Sequence, residues 1–365
     1  MKTNFFKFKG GKLPLPVFFP DATRAVVRSL DSADIESTKT PGILVNTFHL
    51  WKDMDKSILK KSKGIRNFMN FHGAVISDSG GFQVGSLIKK SKDIGYVDDE
   101  GAHFEYEGKH YLLTPEESIR FQMELSTDMV VVLDDYDKPE ASFEENKESV
   151  ERTILWARRS KEEFERICKK KKLTEENRPY ILGVVQGGPY PELRKYCAEE
   201  LVKIGFDGFG YGGDGKKDQY TLDYDIAKVL ADNTPEDYLL YGLGVGKPQD
   251  VVALARLGFD IFDCVLPTRD ARHRRLYVYN AKSIEEIDIT KKDFYSFVTP
   301  DKRIYLDDDS PLTSACDCLT CTKYSKGYLA HLFRVGDFTA GRLATIHNLR
   351  FYSILMEKLL EEKNK

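Results

Sequence analysis

Short apolar runs rich in β-branched residues recur along the chain, and most are followed by stretches whose apolar positions return every three or four residues. The runs are Pro16–Phe19, Ile43–Asn46, Ala74–Asp78, Met129–Asp134, Ile181–Gln186, Gly208–Gly213, Tyr238–Gly244 and Ile261–Leu266. Most lack polar alternation, as strands buried on both faces of a parallel sheet do. These runs, separated by helical patterns, predict an α/β chain folded as a (β/α)8 TIM barrel. Helix punctuation agrees. Thr114-Pro115-Glu116-Glu117 offers an N-cap, a proline at the first helical position and a capping-box glutamate. Pro248 opens a helix over Val251–Leu257, and Gly258 is placed to end it. A long final helix is expected from about Thr339 to Leu360. The whole chain, 1–365, reads as one catalytic domain. It is interrupted by a β-hairpin at about 89–113, turning at Asp99-Glu100-Gly101, and by a cysteine-bearing insertion at about 270–333 after the eighth strand.

The balance of Lys+Arg 55 against Asp+Glu 58 excludes a wholly basic nucleic-acid binder but leaves room for a local basic patch. No apolar run approaches the roughly 20 residues of a membrane span, and lysines break up the apolar positions of the N-terminus, so a cytoplasmic protein is expected. Three of the 6 cysteines crowd into Cys316-Asp317-Cys318-Leu319-Thr320-Cys321, which suits a reducing compartment and a metal site. With His347 these thiols make a Cys3His shell for one structural zinc, closed to substrate because no position stays open. His331 is the rival fourth ligand. His347 is preferred because it lies on the long helix, which could be stapled to the insertion.

Chemistry in such barrels sits at the C-terminal ends of the strands. Those ends carry Asn46, Asp78, Asp134, Gln186, Gly213 and Asp263. One carboxylate there would be an ordinary helix cap; three beside a glutamine on one rim point to a site. Asp78-Ser79-Gly80-Gly81-Phe82-Gln83 combines a carboxylate with a glycine turn and an aromatic ring. Asp263 is followed at once by Arg269, Arg272, His273, Arg274 and Arg275, a local anion-binding surface suited to phosphate. Cys264 reads as a buried small apolar residue, His49 and His72 as structural, and Lys169–Lys172 as a solvated loop.

Together these segments resemble the tRNA-guanine transglycosylases, also called queuine tRNA-ribosyltransferases. The resemblance runs in one order through Pro16-Val17-Phe18-Phe19-Pro20, Asn46-Thr47-Phe48-His49-Leu50, Ser77–Gln83, Leu113-Thr114-Pro115-Glu116, Gly183–Gly188, Gly244-Val245-Gly246-Lys247-Pro248, Phe262–Arg269 and the zinc ligands. It implies exchange of guanine 34 in a tRNA anticodon for a 7-deazaguanine, without redox cofactor or ATP. By that resemblance Asp263 is the nucleophile on ribose C1′ and Asp78 the general acid/base. Asp134 and Gln186 would bind the purine edge, Gly213 its carbonyl, Phe82 its face, and Leu243 would line the pocket. Gly244, Val245, Gly246, Lys247, Pro248, Gln249 and Asp250, with Thr268, Arg269, Asp270, Ala271 and Arg272, would meet the anticodon loop. A homodimer is implied as well.

Two segments depart from the common bacterial pattern, Leu133-Asp134-Asp135-Tyr136 and Gly212-Gly213-Asp214-Gly215-Lys216-Lys217. They leave both the aminomethyl precursor and free queuine open as the incoming base. A non-catalytic partner subunit and a TIM-barrel glycoside hydrolase are the alternatives. Retention of both Asp78 and Asp263 weighs against the first, and the basic segment against the second.

Overall fold

The computed structural model describes residues 4–90, 94–136, 141–213 and 222–364. Eight parallel strands follow one another around a barrel: β1 (Val17–Pro20), β2 (Gly42–Val45), β3 (Ala74–Ser77), β4 (Met129–Val131), β5 (Tyr180–Val185), β6 (Gly208–Tyr211), β7 (Leu239–Gly242) and β8 (Ile261–Cys264). β8 returns to pair with β1, aligning Asp263 with Phe19. Just past the end of β1 the ring closes by a parallel bridge from Asp21 to Leu44 of β2, where the Ala22 N–H donates to the Leu44 carbonyl at 2.6 Å. Nearly every strand residue is buried, since helices cover the outside and packed side chains fill the inside. The expected (β/α)8 barrel is therefore present.

Local signals act as predicted at several helix ends. The Thr114 hydroxyl accepts from the Glu117 N–H at 3.1 Å, and Pro115 opens the helix Pro115–Leu125. Glu117 does not reach back to complete a capping box; its carboxylate accepts instead from Trp51 Nε1 and Lys56 Nζ. The reciprocal box forms one helix later, between Ser142 and Glu145. Lys169–Lys172 is not a loop. Lys169, Lys170 and Lys171 make the last turn of the helix Phe143–Lys171, where positive charge opposes the dipole's negative end.

The excursion before Leu113 is a three-stranded antiparallel sheet, Gly95–Val97, Ala102–Tyr106 and Lys109–Leu113. Its first turn is closed by the Asp98 carboxylate, which accepts from the N–H groups of Glu100 and Gly101. Its second turn is Glu107-Gly108, both at positive φ, a two-residue hairpin turn suited to the twist of the strands. After the eighth strand come a two-stranded pair, Leu276–Tyr279 with Tyr295–Val298, and the helices Leu319–Lys323 and Lys326–Val335. The final helix, Phe338–Lys363, packs back on the barrel: Tyr352 lies 4.4 Å from Phe18 between ring centroids, and its hydroxyl donates to the Gly246 carbonyl at 2.6 Å. Among the described residues no helix is long and apolar enough to cross a membrane.

Candidate active site and metal centre

Parallel register puts the ends of β2 and β3 side by side, with Val45 opposite Ser77, so the next residues, Asn46 and Asp78, meet. Asn46 Nδ2 donates to Asp78 Oδ2 at 2.5 Å, and the Thr47 N–H donates to Asp78 Oδ1 at 2.8 Å. The chain then turns at Gly80, whose φ of +81° suits glycine, and the Gly80 N–H also reaches Asp78 Oδ1. Burial nevertheless outweighs these donors. Removal from water, helped by the charges of Asp263 and Asp21, pushes the Asp78 carboxyl up to about 7.

Asp263 sits at the mouth of β8. The Tyr241 hydroxyl at the end of β7 donates to its Oδ1 at 2.7 Å, and the Gly244 N–H donates to the same oxygen at 2.8 Å. Oδ2 receives no hydrogen bond among the described residues. One oxygen is therefore anchored and the other is not. Burial raises the Asp263 carboxyl to about 6, with Asp21 adding to the shift. Neighbouring Cys264 is raised to about 12, chiefly by burial and then by Asp263, so it is a neutral thiol at ordinary pH and no nucleophile.

The third carboxylate, Asp134, follows β4. Gln186 Nε2 donates to its Oδ2 at 2.6 Å, whereas Oδ1 has only a 3.5 Å contact with the Ser79 hydroxyl. Burial again dominates and raises it to about 6. Gly213, two residues beyond β6, has φ +80°, and a Cβ there would stand 3.0 Å from Gln186 Oε1. Phe82 is 56% exposed on the helix Gly81–Lys90, with its ring edge-on to Tyr136 at 5.2 Å, so an apolar face flanks the carboxylates. Asp135 turns away from this rim. It pairs with Arg152, and its backbone accepts from Ser149, fixing the segment to the helix behind. Residues 214–217 of the departing segment lie outside the described residues.

Three contributors left little trace in the sequence. Tyr241 looked like one more apolar strand residue. Asp21, just beyond β1, is a fourth carboxylate near the rim and raises both Asp78 and Asp263 electrostatically. Arg194 is wholly buried. Its Nη1 donates to the Val185 carbonyl at 2.8 Å and its Nε to the Gly188 carbonyl at 3.0 Å, bracketing the turn that carries Gln186. Only that buried position distinguishes it from the other arginines of the helix surfaces.

The basic segment divides by face. In the helix Leu266–Arg272, Thr268, Asp270 and Ala271 are buried, and Asp270 accepts from the Tyr277 hydroxyl at 2.5 Å. Arg269 and Arg272 are exposed. Arg274 pairs with Asp301 at 2.7 Å, and the Arg275 guanidinium lies 3.7 Å over the Phe297 ring. In the loop after β7, Val245, Gly246 and Pro248 are buried, Leu243 and Lys247 half-buried, and Gly244 and Gln249 exposed. Asp250 accepts from the Tyr224 hydroxyl at 2.7 Å and Gln249 from the Tyr295 hydroxyl at 2.5 Å.

Cys316, Cys318, Cys321 and His347 converge, with their ligand atoms all within 4.8 Å of one another and every side chain buried. His347 Nδ1 stands 3.3 Å from Cys321 Sγ and 3.7 Å from Cys318 Sγ. Its Nε2 lies 2.6 Å from the Tyr277 carbonyl, which only an N–H can satisfy, so the lone pair is on Nδ1 and faces the sulfurs. Ligands about 2.3 Å from a tetrahedral metal are about 3.7 Å apart, and the cluster matches that spacing. These residues could hold a metal ion. His331 is exposed on the helix Lys326–Val335, away from the cluster.

A family model described as TGT: Queuine tRNA-ribosyltransferase matches residues 2–362. Proteins named queuine tRNA-ribosyltransferase align along nearly the full chain. That of Mannheimia succiniciproducens is 38% identical over 346 residues, covering 94% of this chain and 84% of the relative. That of Actinobacillus pleuropneumoniae serotype 3 is also 38% identical over 346 residues, and that of Haemophilus influenzae strain PittEE is 37% identical over 350 residues; each pairing spans 94% of this chain and 84% of the relative.

Proposed function

Because the chain belongs to the queuine tRNA-ribosyltransferase family, a pentosyltransferase family of tRNA-guanine transglycosylases, we propose that Asp263 takes the ribosyl group of tRNA onto its own carboxylate while the bases change places. The observation that carries this reading is the asymmetry at Asp263. Oδ1 is held by Tyr241 and Gly244, and Oδ2 is left free of hydrogen bonds among the described residues. Attack by Oδ2 on C1′ forms a C–O bond as the glycosidic C–N bond breaks, and the electron pair leaves with guanine. Protonated Asp78 supplies the proton that guanine takes. An incoming 7-deazaguanine returns a proton to Asp78 as its nitrogen displaces the Asp263 oxygen. A carboxylate suits the oxocarbenium-like sugar, and the covalent step keeps the glycosyl bond from being lost to water.

The purine edge of guanine presents two donors, which Asp134 answers with acceptor oxygens while Gln186 fixes its orientation. The wobble guanine reaches a barrel mouth by leaving its stack, which costs least in an anticodon loop. Arg269 and Arg272 face outward to meet RNA phosphate, while Thr268, Asp270 and Ala271 hold that helix in place. Zinc is the ion whose tetrahedral thiolate–imidazole preference fits the four metal ligands, in a structural role. The physiological base is queuine or its aminomethyl precursor. The test is release of labelled guanine from tRNA by the purified chain, chased separately with each 7-deazapurine. No release with either base rejects the reading.

Two further outcomes follow from the electrostatics. Asp263 must be ionised to attack, so the rate rises as pH passes about 6. Asp78 must be protonated to assist departure, so the rate falls above about 7. The profile of kcat/KM for tRNA is therefore a narrow bell, and a flat profile across that range contradicts the assignment. Asp134→Asn turns one acceptor into a donor facing the guanine donors. It should lower kcat/KM about 10²-fold, mostly through the base, because a buried mismatch leaves polar groups unpaired. Equal steady-state constants for the variant would remove Asp134 from the pocket.

A further inference from the structure

A polar cavity of about 290 Å³ opens beside the catalytic carboxylates, lined by Asp21, Thr23, Arg24, Arg28, His49 and Arg272. Its place follows from the barrel. Asp21 and Thr23 continue β1, whose partner β8 carries Asp263, and Val265, two residues beyond Asp263, forms part of the wall. Three guanidinium groups therefore converge one strand away from the nucleophile.

Their pairing is uneven. Arg24 is matched by Asp53 at 3.1 Å. The Asp21 carboxylate is engaged by the Thr23 hydroxyl, at 2.7 Å and 2.6 Å from its two oxygens. Neither Arg28 nor Arg272 forms an ion pair with a carboxylate among the described residues; burial, and after it the like charge of Arg28, holds the Arg272 guanidinium below its usual value, with the Asp21 carboxylate opposing them. Two guanidiniums of like charge lining a cavity of this size are stabilised by an anion between them, and a phosphate offers the fork-matching oxygens.

We propose that this cavity, with Arg28 as its dedicated ligand and Arg272 as its second, holds the phosphodiester that flanks the exchanged nucleotide. The proposal rests on the transglycosylase reading and adds to it a phosphate subsite at the end of the first strand. Holding the backbone there presents C1′ to Asp263, so the cavity binds RNA and has no part in handling the free base.

The test compares wild type, Arg28→Gln and Arg28→Lys with an anticodon stem-loop RNA, measuring guanine exchange and RNA affinity across a salt series. Arg28→Gln should raise KM for RNA about fivefold to tenfold and reduce the slope of log affinity against log salt by about 0.7, the share of one single-strand phosphate. Its KM for the incoming base should be unchanged, and Arg28→Lys should recover the salt slope but only part of the KM. A merely structural role would not move the salt slope. A folded Arg28→Gln with wild-type KM and slope overturns the proposal. So does a variant that loses affinity only for inorganic phosphate and keeps its affinity for RNA. Absence of guanine exchange in wild type would instead strike the functional reading itself.

Discussion

Asp263→Asn should abolish base exchange, by about 10⁴-fold or more in kcat, while the protein folds and still binds tRNA. The loss is large because no covalent route survives: an amide oxygen is a poor nucleophile towards ribose, and about 5.5 kcal/mol of barrier stabilisation disappears with it. The fold should survive because the amide oxygen can still accept from the Tyr241 hydroxyl and the Gly244 N–H, leaving the NH2 where Oδ2 stood. Stability should in fact rise. A carboxyl that titrates near 6 when folded and near 3.8 when unfolded makes ionisation cost the folded state about 3 kcal/mol. With a raised folded pKa, the wild type keeps its full stability below about 4 and loses this increment as pH climbs through about 6. Asparagine does not titrate, so the variant should melt several degrees higher at pH 8 and with no such advantage at pH 4. Denaturing gels of stalled reactions give the direct check, since wild type should carry RNA joined to protein and Asp263→Asn should carry none. Exchange at the wild-type rate by the variant removes Asp263 from the mechanism. A melting difference that does not depend on pH removes the electrostatic account.

That result would rest on a carboxylate visible in the sequence and on partners that were not. Asp78 and Asp134 could be picked out because each ends an apolar run, and Asp263 because it interrupts one, where a packed core has no use for charge. Gly80 and Gly213 were visible as glycines where strand runs give out, and both hold positive φ just past the strands. The cysteines announced themselves by spacing. What could not be read is what crosses between strands. Tyr241 is apolar in pattern, and its hydroxyl matters only because β7 and β8 lie side by side. Asp21 falls after a proline, outside any strand pattern, and acquires its influence from barrel closure. Arg194 sits in a helix whose other basic residues are solvated, and nothing local says that it alone points inward. Periodicity reports which face of an element is buried; it does not report which polar atom waits on the neighbouring element. The same limit explains the basic segment, where one run of charges splits into outward arginines and an inward, hydrogen-bonded Asp270.

Chelation, or Cys318→Ser, should collapse stability and RNA binding together. The four residues that could hold a metal come from the Cys316–Cys321 segment and from His347 on the final helix. The residue after His347 extends the same connection inward: Asn348 donates to the carbonyls of Pro267 at 3.0 Å and Arg275 at 3.1 Å, and accepts from the Tyr277 N–H. One turn further on, Tyr352 bonds Gly246. One stretch of the final helix thus grips the cysteine segment, the helix bearing Arg269 and Arg272, and the loop after β7. Structural zinc contributes about 10–16 kcal/mol to folding in small domains, comparable to the whole margin of a typical protein. Cys318→Ser leaves the site with two thiolates and an imidazole, and its metal affinity should fall by orders of magnitude. The melting temperature should drop by more than about 10 °C. Metal content near one per chain should fall to none, and tRNA affinity should be lost along the same titration. Asp263 and Asp78, on β8 and the end of β3, do not touch the cluster, so any residual folded fraction should keep its pH profile while losing affinity for RNA. A metal-free protein with unchanged melting temperature and wild-type exchange would show that the four residues are only a buried thiol cluster and that the helix needs no ion to hold the RNA-facing loops.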